Sequence, residues 1–268
     1  MSYNEIFRKL WNDYIHQNPS AGKIYNLFTD AGEVVQNDHI AFRTFNDPRL
    51  NIDVLARIFK KNNYVEKGEY IFEEKHLFAR HYEHISEIDA PRVFISQLIL
   101  EDFSPYLQRI IKETINSVPF DVFDSEELIF AGSLFPTPSF EVYNKLREES
   151  EYAAWLYVFG FRANHFTVSI NALKIYNTIE KVNKLVKSGG FILNNAGGEI
   201  KGTKEELLRQ SSTMGDKVKI SFLEGEYEVP ACYYEFAQRY KDKDGRLYSG
   251  FIAKSADKIF ESTNFYKK

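Results

Sequence analysis

HFTVSIN, residues 165–171, alternates polar and apolar side chains without a break. His165, Thr167, Ser169 and Asn171 fall on one face of a strand and Phe166, Val168 and Ile170 on the other, because successive strand side chains point to opposite sides. The apolar face must pack on helices. The polar face then looks into water or into a cavity, and for a strand in the middle of a large sheet the cavity is the more useful hypothesis. HIAFRTF at 39–45 repeats the pattern, with His39, Ala41 and Arg43 opposite Ile40, Phe42 and Thr44, until Asn46-Asp47-Pro48 ends it.

Each of these strands leads into a helix. Residues 51–62 place Ile52, Leu55, Ile58 and Phe59 on one stripe, and KIYNTIEKVNKLVK at 174–187 reads the same way. Strand candidates at 64–73, 76–84 and 92–100 follow the first helix; shorter ones near 190–201 and 217–223, then 231–240, follow the second. Strand, helix, strands therefore occurs twice, which suggests internal duplication on element order alone. Helical patterns over 3–30, broken at Asn18-Pro19-Ser20, and over 103–116 and about 138–157 flank and join the two blocks. SGFIAKSADKIFEST at 249–263 is expected to close over the sheet as a loop and a short helix. The expected fold is α+β, one domain over 1–268. Its parts are N-terminal helices 1–36, a first module about 37–101, a helical connection about 102–160, a second module about 161–250 and a closing segment 251–268.

Composition narrows the function. With 44% hydrophobic residues in 268, the chain can bury a large core, which excludes a disordered protein. The net charge of -4 gives no general reason to expect nucleic acid or an anionic membrane as partner. No stretch approaches the roughly 20 apolar residues of a membrane span, and the N-terminus lacks an uninterrupted apolar signal region. The single cysteine, Cys232, excludes an internal disulfide framework and fits a reducing compartment, with the cytoplasm as the default. Phosphate-binding glycine loops and a serine-hydrolase elbow are missing, and HLFARHYEH at 76–84 puts His81 on the opposite strand face from His76 and His84.

Three side chains stand out. His39 and His165 each open a strand with a polar face, and Glu235 sits among aromatics in YYEFAQRY, where a free charge would be unfavourable and a metal would relieve it. Two imidazoles and one carboxylate with positions left open are the ligand set typical of non-haem Fe(II) oxygenases. Singly, each reads better as a satisfied core histidine or a glutamate paired with an arginine, and only the constellation favours a metal. Arg43 shares a face with His39, and four strand positions separate their Cα atoms by roughly 13 Å, a gap that an extended arginine and a dicarboxylate of about six carbons can fill.

With these residues the chain resembles the 2-oxoadipate dioxygenase/decarboxylase family, long catalogued as a domain of unknown function and related in fold to the vicinal oxygen chelate enzymes. The carriers are DHIAFRTF at 38–45, RVFISQLIL at 92–100, ANHFTVSIN at 163–171, LLRQSSTMGDKVKISF at 207–222, YYEFAQRY at 233–240 and SADKIF at 255–260. The resemblance implies a cup of two pseudo-symmetric βαβββ modules with helices outside, a curved mixed sheet in which His39, His165 and Glu235 are catalytic and bind a divalent metal, expected to be Fe(II). It also implies that the bound 2-oxo acid meets His39 and His165 at its head, and that Arg43 holds its distal carboxylate. Lys254, just before SADKIF, approaches the substrate where a small apolar residue is usual, which bears on substrate identity. The implied reaction consumes O2 and a 2-oxo dicarboxylic acid, 2-oxoadipate to 2-hydroxyglutarate with loss of CO2, within lysine catabolism. If the modules are pseudo-symmetric, the position matching Glu235 falls in RVFISQLIL, with Gln97 as the candidate. Alternative outcomes are an isomerase, lyase or hydrolase that uses its metal as a Lewis acid, and a non-enzymatic module that binds a small acid.

Overall fold

The period-two stretches build the centre of the molecule. A computed structural model describes residues 1–263. Its elements run α1 (Tyr3–Gln17), α2 (Pro19–Asp30), β1 (Asn37–Phe45), α3 (Ile52–Lys61), β2 (Tyr64–Phe72), β3 (Leu77–His84), β4 (Arg92–Leu98), α4 (Pro105–Asn116), α5 (Phe140–Glu149), α6 (Glu151–Phe159), β5 (Ala163–Ser169), α7 (Ile179–Ser188), β6 (Leu208–Ser212), β7 (Lys217–Phe222), β8 (Gly225–Pro230), β9 (Tyr233–Arg239) and α8 (Ala253–Phe260). Local chemistry sets several boundaries. Ser2 and Glu5 form a capping box on α1, Pro19 opens α2, and Ser150 ends α5 while its hydroxyl caps α6.

One curled sheet of seven strands, in the order β2-β3-β4-β1-β5-β9-β6, carries the architecture. Its middle joint is the antiparallel pair β1/β5, in which Ile40 faces Phe166, His39 faces Thr167 and Ala41 faces His165. This register is a local twofold: exchanging the two blocks puts His39 on His165. Outward from the joint each block repeats a parallel pair, β1 with β4 and β5 with β9. Matching glutamines repeat too. Gln97 accepts a hydrogen bond from the backbone N–H of Ile52 at the start of α3 (3.2 Å), and Gln238 accepts one from Ile179 at the start of α7 (3.1 Å). The α+β class and the curved mixed sheet are thus as expected, with the duplication written in the register and not in sequence identity.

The apolar faces pack outward on helices. Phe42 meets Phe59 of α3 with ring centroids 5.6 Å apart, while Phe166 meets Trp11 at 5.1 Å and Tyr14 at 4.9 Å. Tyr234 also reaches Trp11, at 5.7 Å. Among the described residues, no helix is long and apolar enough to cross a membrane.

The second module is an abbreviated copy. Residues 190–201, expected as a strand, make only isolated bridges, Leu193 to Thr213 and Lys201 to Gln210. Gly197, Gly198 and Gly202 all take positive φ there, and a Cβ on Gly202 would run into the Leu208 carbonyl, so the backbone cannot stay extended. Residues 217–223, expected as a sheet strand, belong to the separate β7–β8 hairpin. Tyr227 stacks on Phe140 of α5 with centroids 3.7 Å apart, which docks the hairpin on the helical connection instead of the sheet. The helix expected from Lys174 begins at Ile179. Thr178 caps it, and the Glu33 carboxylate accepts the backbone N–H groups of Lys174, Ile175 and Tyr176, pinning that stretch as a turn. The C-terminal segment does close over the sheet through α8; its last residues, 264–268, lie outside the described residues.

Because Gln97 and Gln238 do the same work at equivalent helix starts, Gln97→Ala and Gln238→Ala should each lower stability by about 1 kcal/mol, and the double variant by about the sum, as read by urea denaturation.

Candidate metal centre

Adjacent central strands present the three donors. Glu235 of β9 pairs with Thr167 of β5, which pairs with His39 of β1, so these residues form one row across the sheet, and His165 lies two residues from Thr167 on the same face. Their side chains converge: one donor atom from each of His39, His165 and Glu235 lies within 4.8 Å of the other two. His165 Nε2 is 3.2 Å from Glu235 Oε2 and His39 Nε2 is 3.7 Å from Glu235 Oε1. The imidazole planes stand at 85° with centroids 5.5 Å apart. All three residues are buried.

Without an ion the cluster is neutral. Burial lowers the pKa of His39 more than Asp38 raises it, and burial, then His39 and Arg43, drive that of His165 well down. Burial pushes the Glu235 carboxyl up to about 8, more than the Gln210 hydrogen bond lowers it. The close His–Glu contacts are therefore not ion pairs. They are a convergent set of nitrogen and oxygen donors with little internal charge to bind them together, which fits a divalent cation.

Behind the donors, each histidine is oriented by the residue before it. Asp38 Oδ1 lies 2.8 Å from His39 Nδ1, and Asn164 Oδ1 lies 3.1 Å from His165 Nδ1. Consecutive strand residues ordinarily point apart; here the β1/β5 register skips both Asp38 and Asn164, and these paired bulges turn them to the histidine side. With Nδ1–H donating to these oxygens, each Nε2 carries the lone pair that a metal would take. Asp38 is itself clamped by Arg239, whose Nε and Nη2 donate to its oxygens at 2.7 and 2.8 Å. Burial alone would raise the Asp38 carboxyl, but Arg239 and then His39 hold it well below the usual range. Gln210 donates to Glu235 Oε1 at 2.5 Å, and Thr167 Oγ1 lies 3.1 Å from His39 Nε2.

Arg43 lies two strand positions beyond Ala41 on the same face as His39, buried, and none of its side-chain nitrogens has a hydrogen-bond partner among the described residues. Rings of Tyr152, Trp155 and Phe260 stand 4.9 to 5.8 Å from its guanidinium carbon. A cavity of about 390 Å³, lined by Lys75, Glu151, Tyr152 and Phe260 among others, opens onto Arg43. Burial raises the pKa of Glu151, against the pull of Arg43. Phe251 covers the other side, edge-on to His39 with centroids 4.8 Å apart and 4.8 Å from Phe94.

The sequence reading singled out His39, His165, Glu235 and Arg43, and these come together on one concave face. Lys254 does not join them; it is exposed on the first turn of α8, whereas the next residue, Ser255, is buried. Gln97 is corrected. It caps α3, and the true counterpart of Glu235 is Phe94, which pairs with Ala41 as Glu235 pairs with Thr167. Asp38, Asn164, Gln210, Tyr233 and Phe251 were missed. The doubled Asx-His dipeptide was the available signal for the first two. Cys232 is buried with its thiol pushed up to about 12, which removes it as a nucleophile.

Residues 5–247 match the family model described as 2-oxoadipate dioxygenase/decarboxylase. The chain belongs to that family. A rice relative named as a chloroplastic/amyloplastic 2-oxoadipate dioxygenase/decarboxylase is 34% identical, over 98% of this chain and 79% of the relative. The rice crystal structure of a hydroxyglutarate synthase in complex with 2-oxoadipate superposes with a TM-score of 0.91 at 32% identity, covering 97% of this chain and 91% of that one. A Shewanella frigidimarina protein, named only as a suspected hydrolase, superposes with a TM-score of 0.89 at 47% identity, covering 94% of this chain and 98% of that one. A structure from Ralstonia eutropha, named only as a suspected glyoxalase-superfamily protein, shares the fold at 19% identity and a TM-score of 0.75 over 90% of this chain and 83% of that one. Family membership therefore rests on sequence as well as shape.

An ion held by the three groups must displace the Glu235 proton, so binding of Mn2+ at pH 7 should release about one proton and tighten as pH rises to about 8, measured by calorimetry in buffers of different ionisation enthalpy. The metal-free fold, holding a proton that the unfolded chain releases, should correspondingly lose stability as pH rises through that range. Asn164→Ala should weaken metal binding about tenfold, and Asp38→Asn about 10- to 100-fold with an added loss of thermal stability because Arg239 stays buried without its counter-ion.

Proposed function

We propose that this protein is an Fe(II)-dependent dioxygenase and decarboxylase that converts 2-oxoadipate and O2 into 2-hydroxyglutarate and CO2. The observation that carries the reading is a pairing on one strand: a neutral three-donor cluster containing His39, and four strand positions past it on the same face the buried, unpartnered guanidinium of Arg43. A site with a cation position at one end and an arginine at the other suits a 2-oxo acid with a second carboxylate. The names carried by the rice relatives support the same substrate and product.

His39, His165 and Glu235 would hold the ion, and ferrous iron there would supply chelation of the 2-oxo acid head and the reaction with O2. The remaining work falls to the chain. Asp38 and Asn164 keep the proton on Nδ1 of each imidazole. Arg43 fixes the far carboxylate, so that the substrate carbon chain is held against the metal position in one orientation. The wall formed by Phe94 and Phe251 keeps water away from the reacting end. Since both modules contribute donors to one centre, residues 1–268 act as a single functional domain. The single buried thiol, Cys232, suits a reducing compartment such as the cytoplasm.

Protein purified without chelators, assayed on 2-oxoadipate under air and under nitrogen, tests the proposal: iron should co-purify near one equivalent, and CO2 release should require O2. His39→Ala and Glu235→Ala should lose both the metal and more than 100-fold in turnover, while Arg43→Lys should keep the metal and raise KM about tenfold or more. CO2 or product formation under nitrogen, or full activity in either metal-site variant, would overturn the reading.

A further inference from the structure

Arg43 is not the only buried group left without a partner on this face. The hydroxyl of Tyr233 is buried and has no hydrogen-bond partner among the described residues. Tyr234 next to it shares that property, but Tyr234 packs on Trp11 at the helical side, so a lone hydroxyl is not the argument. Placement is. Tyr233 pairs with His165, which pairs with Ala41, so it stands in the row between that of Glu235 and the position of Arg43. Its ring lies nearly flat against the His165 imidazole, at 25° with centroids 4.7 Å apart, and its backbone carbonyl accepts a hydrogen bond from Tyr14 on the helical side. The hydroxyl is within electrostatic reach of Glu235, Arg43 and Glu151.

A buried hydroxyl without a partner is unfavourable, and phenylalanine would keep the stacking without that burden. What the hydroxyl offers is an unused donor in the row between Glu235 and Arg43, beside the His165 imidazole. A carboxylate has about four acceptor positions, and the arginine fork satisfies two of them. In a site that excludes water, the others need donors from the protein.

We propose that the Tyr233 hydroxyl donates a further hydrogen bond to the distal carboxylate that Arg43 clamps, which makes Tyr233 a specificity-determining residue for dicarboxylic over monocarboxylic 2-oxo acids. The proposal rests on the reading of Arg43 given above. It assigns to Tyr233 no contact with the ion and no role in holding the fold.

The test compares 2-oxoadipate with 2-oxohexanoate, which has a methyl group in place of the distal carboxylate, by calorimetry on Mn2+-loaded wild-type and Tyr233→Phe protein under nitrogen. The wild type should prefer 2-oxoadipate. Tyr233→Phe should bind 2-oxoadipate about tenfold more weakly and 2-oxohexanoate within about twofold of wild type. Its Mn2+ affinity should be unchanged and its melting temperature equal or higher, a result that a structural role would not give. Equal losses for both acids, no loss for either, a weakened Mn2+ site, or a wild type without preference for the diacid would each overturn the proposal. A wild type that prefers 2-oxoadipate yet consumes no O2 would end the dioxygenase reading and leave this one standing. Wild-type turnover with selectivity unaltered in Tyr233→Phe would do the reverse.

Discussion

The antiparallel joint between β1 and β5 is the constraint from which the site follows. With Ile40 opposite Phe166, the two histidine positions are brought to adjacent strands and to one face, and a register slip by a single residue would turn one imidazole to the helical layer and part the pair. The joint is held from behind by Phe42 on Phe59 and by Phe166 on Trp11 and Tyr14, so the packing of the outer helices and the placing of the donors are one problem. β9 then brings Glu235 alongside through its parallel pairing with β5.

Burial explains both what the site can do and why it needs its surroundings. Three ionisable groups packed this closely away from water stay uncharged, and two of them depend on a neighbouring oxygen for their tautomer. The charged partner, Asp38, is held in the interior chiefly by Arg239, which grips both its oxygens, and Arg239 in turn donates to the carbonyls of Tyr248 and Gly250 in the segment leading to Phe251. The ion position and its cover are thus tied through one arginine.

Much of this was legible in the sequence because it obeys short periods. Alternation gave the faces of β1 and β5, and hence His39, Arg43 and His165; an acidic residue in an aromatic strand gave Glu235. What escaped was whatever broke the period or depended on pairing. Asp38 and Asn164 face their histidines only because each occupies a bulge, which a strict period of two assigns to the opposite side. Gln97 was the candidate because pseudo-symmetry places the counterpart of Glu235 in RVFISQLIL; the register, invisible in one strand alone, gives that place to Phe94. The hairpin β7–β8 has the composition of a sheet strand pair and was separated from the sheet by a tertiary contact, Phe140 on Tyr227. Spacing reached a three-donor set and a dicarboxylate, and family resemblance added the expectation of Fe(II) and of 2-oxoadipate itself.

The exchange of Glu235 for Phe94 between the two halves has a consequence for how such a protein can diverge. A duplicated cup begins with identical duties on both sides, and one carboxylate against one aromatic ring divides them. Drift in the C-terminal half threatens the ion itself, whereas drift around Phe94 reshapes only the room beside it. Substitutions at Phe94 can therefore reshape that room while the donor set, drawn from both halves as His39, His165 and Glu235, stays in place.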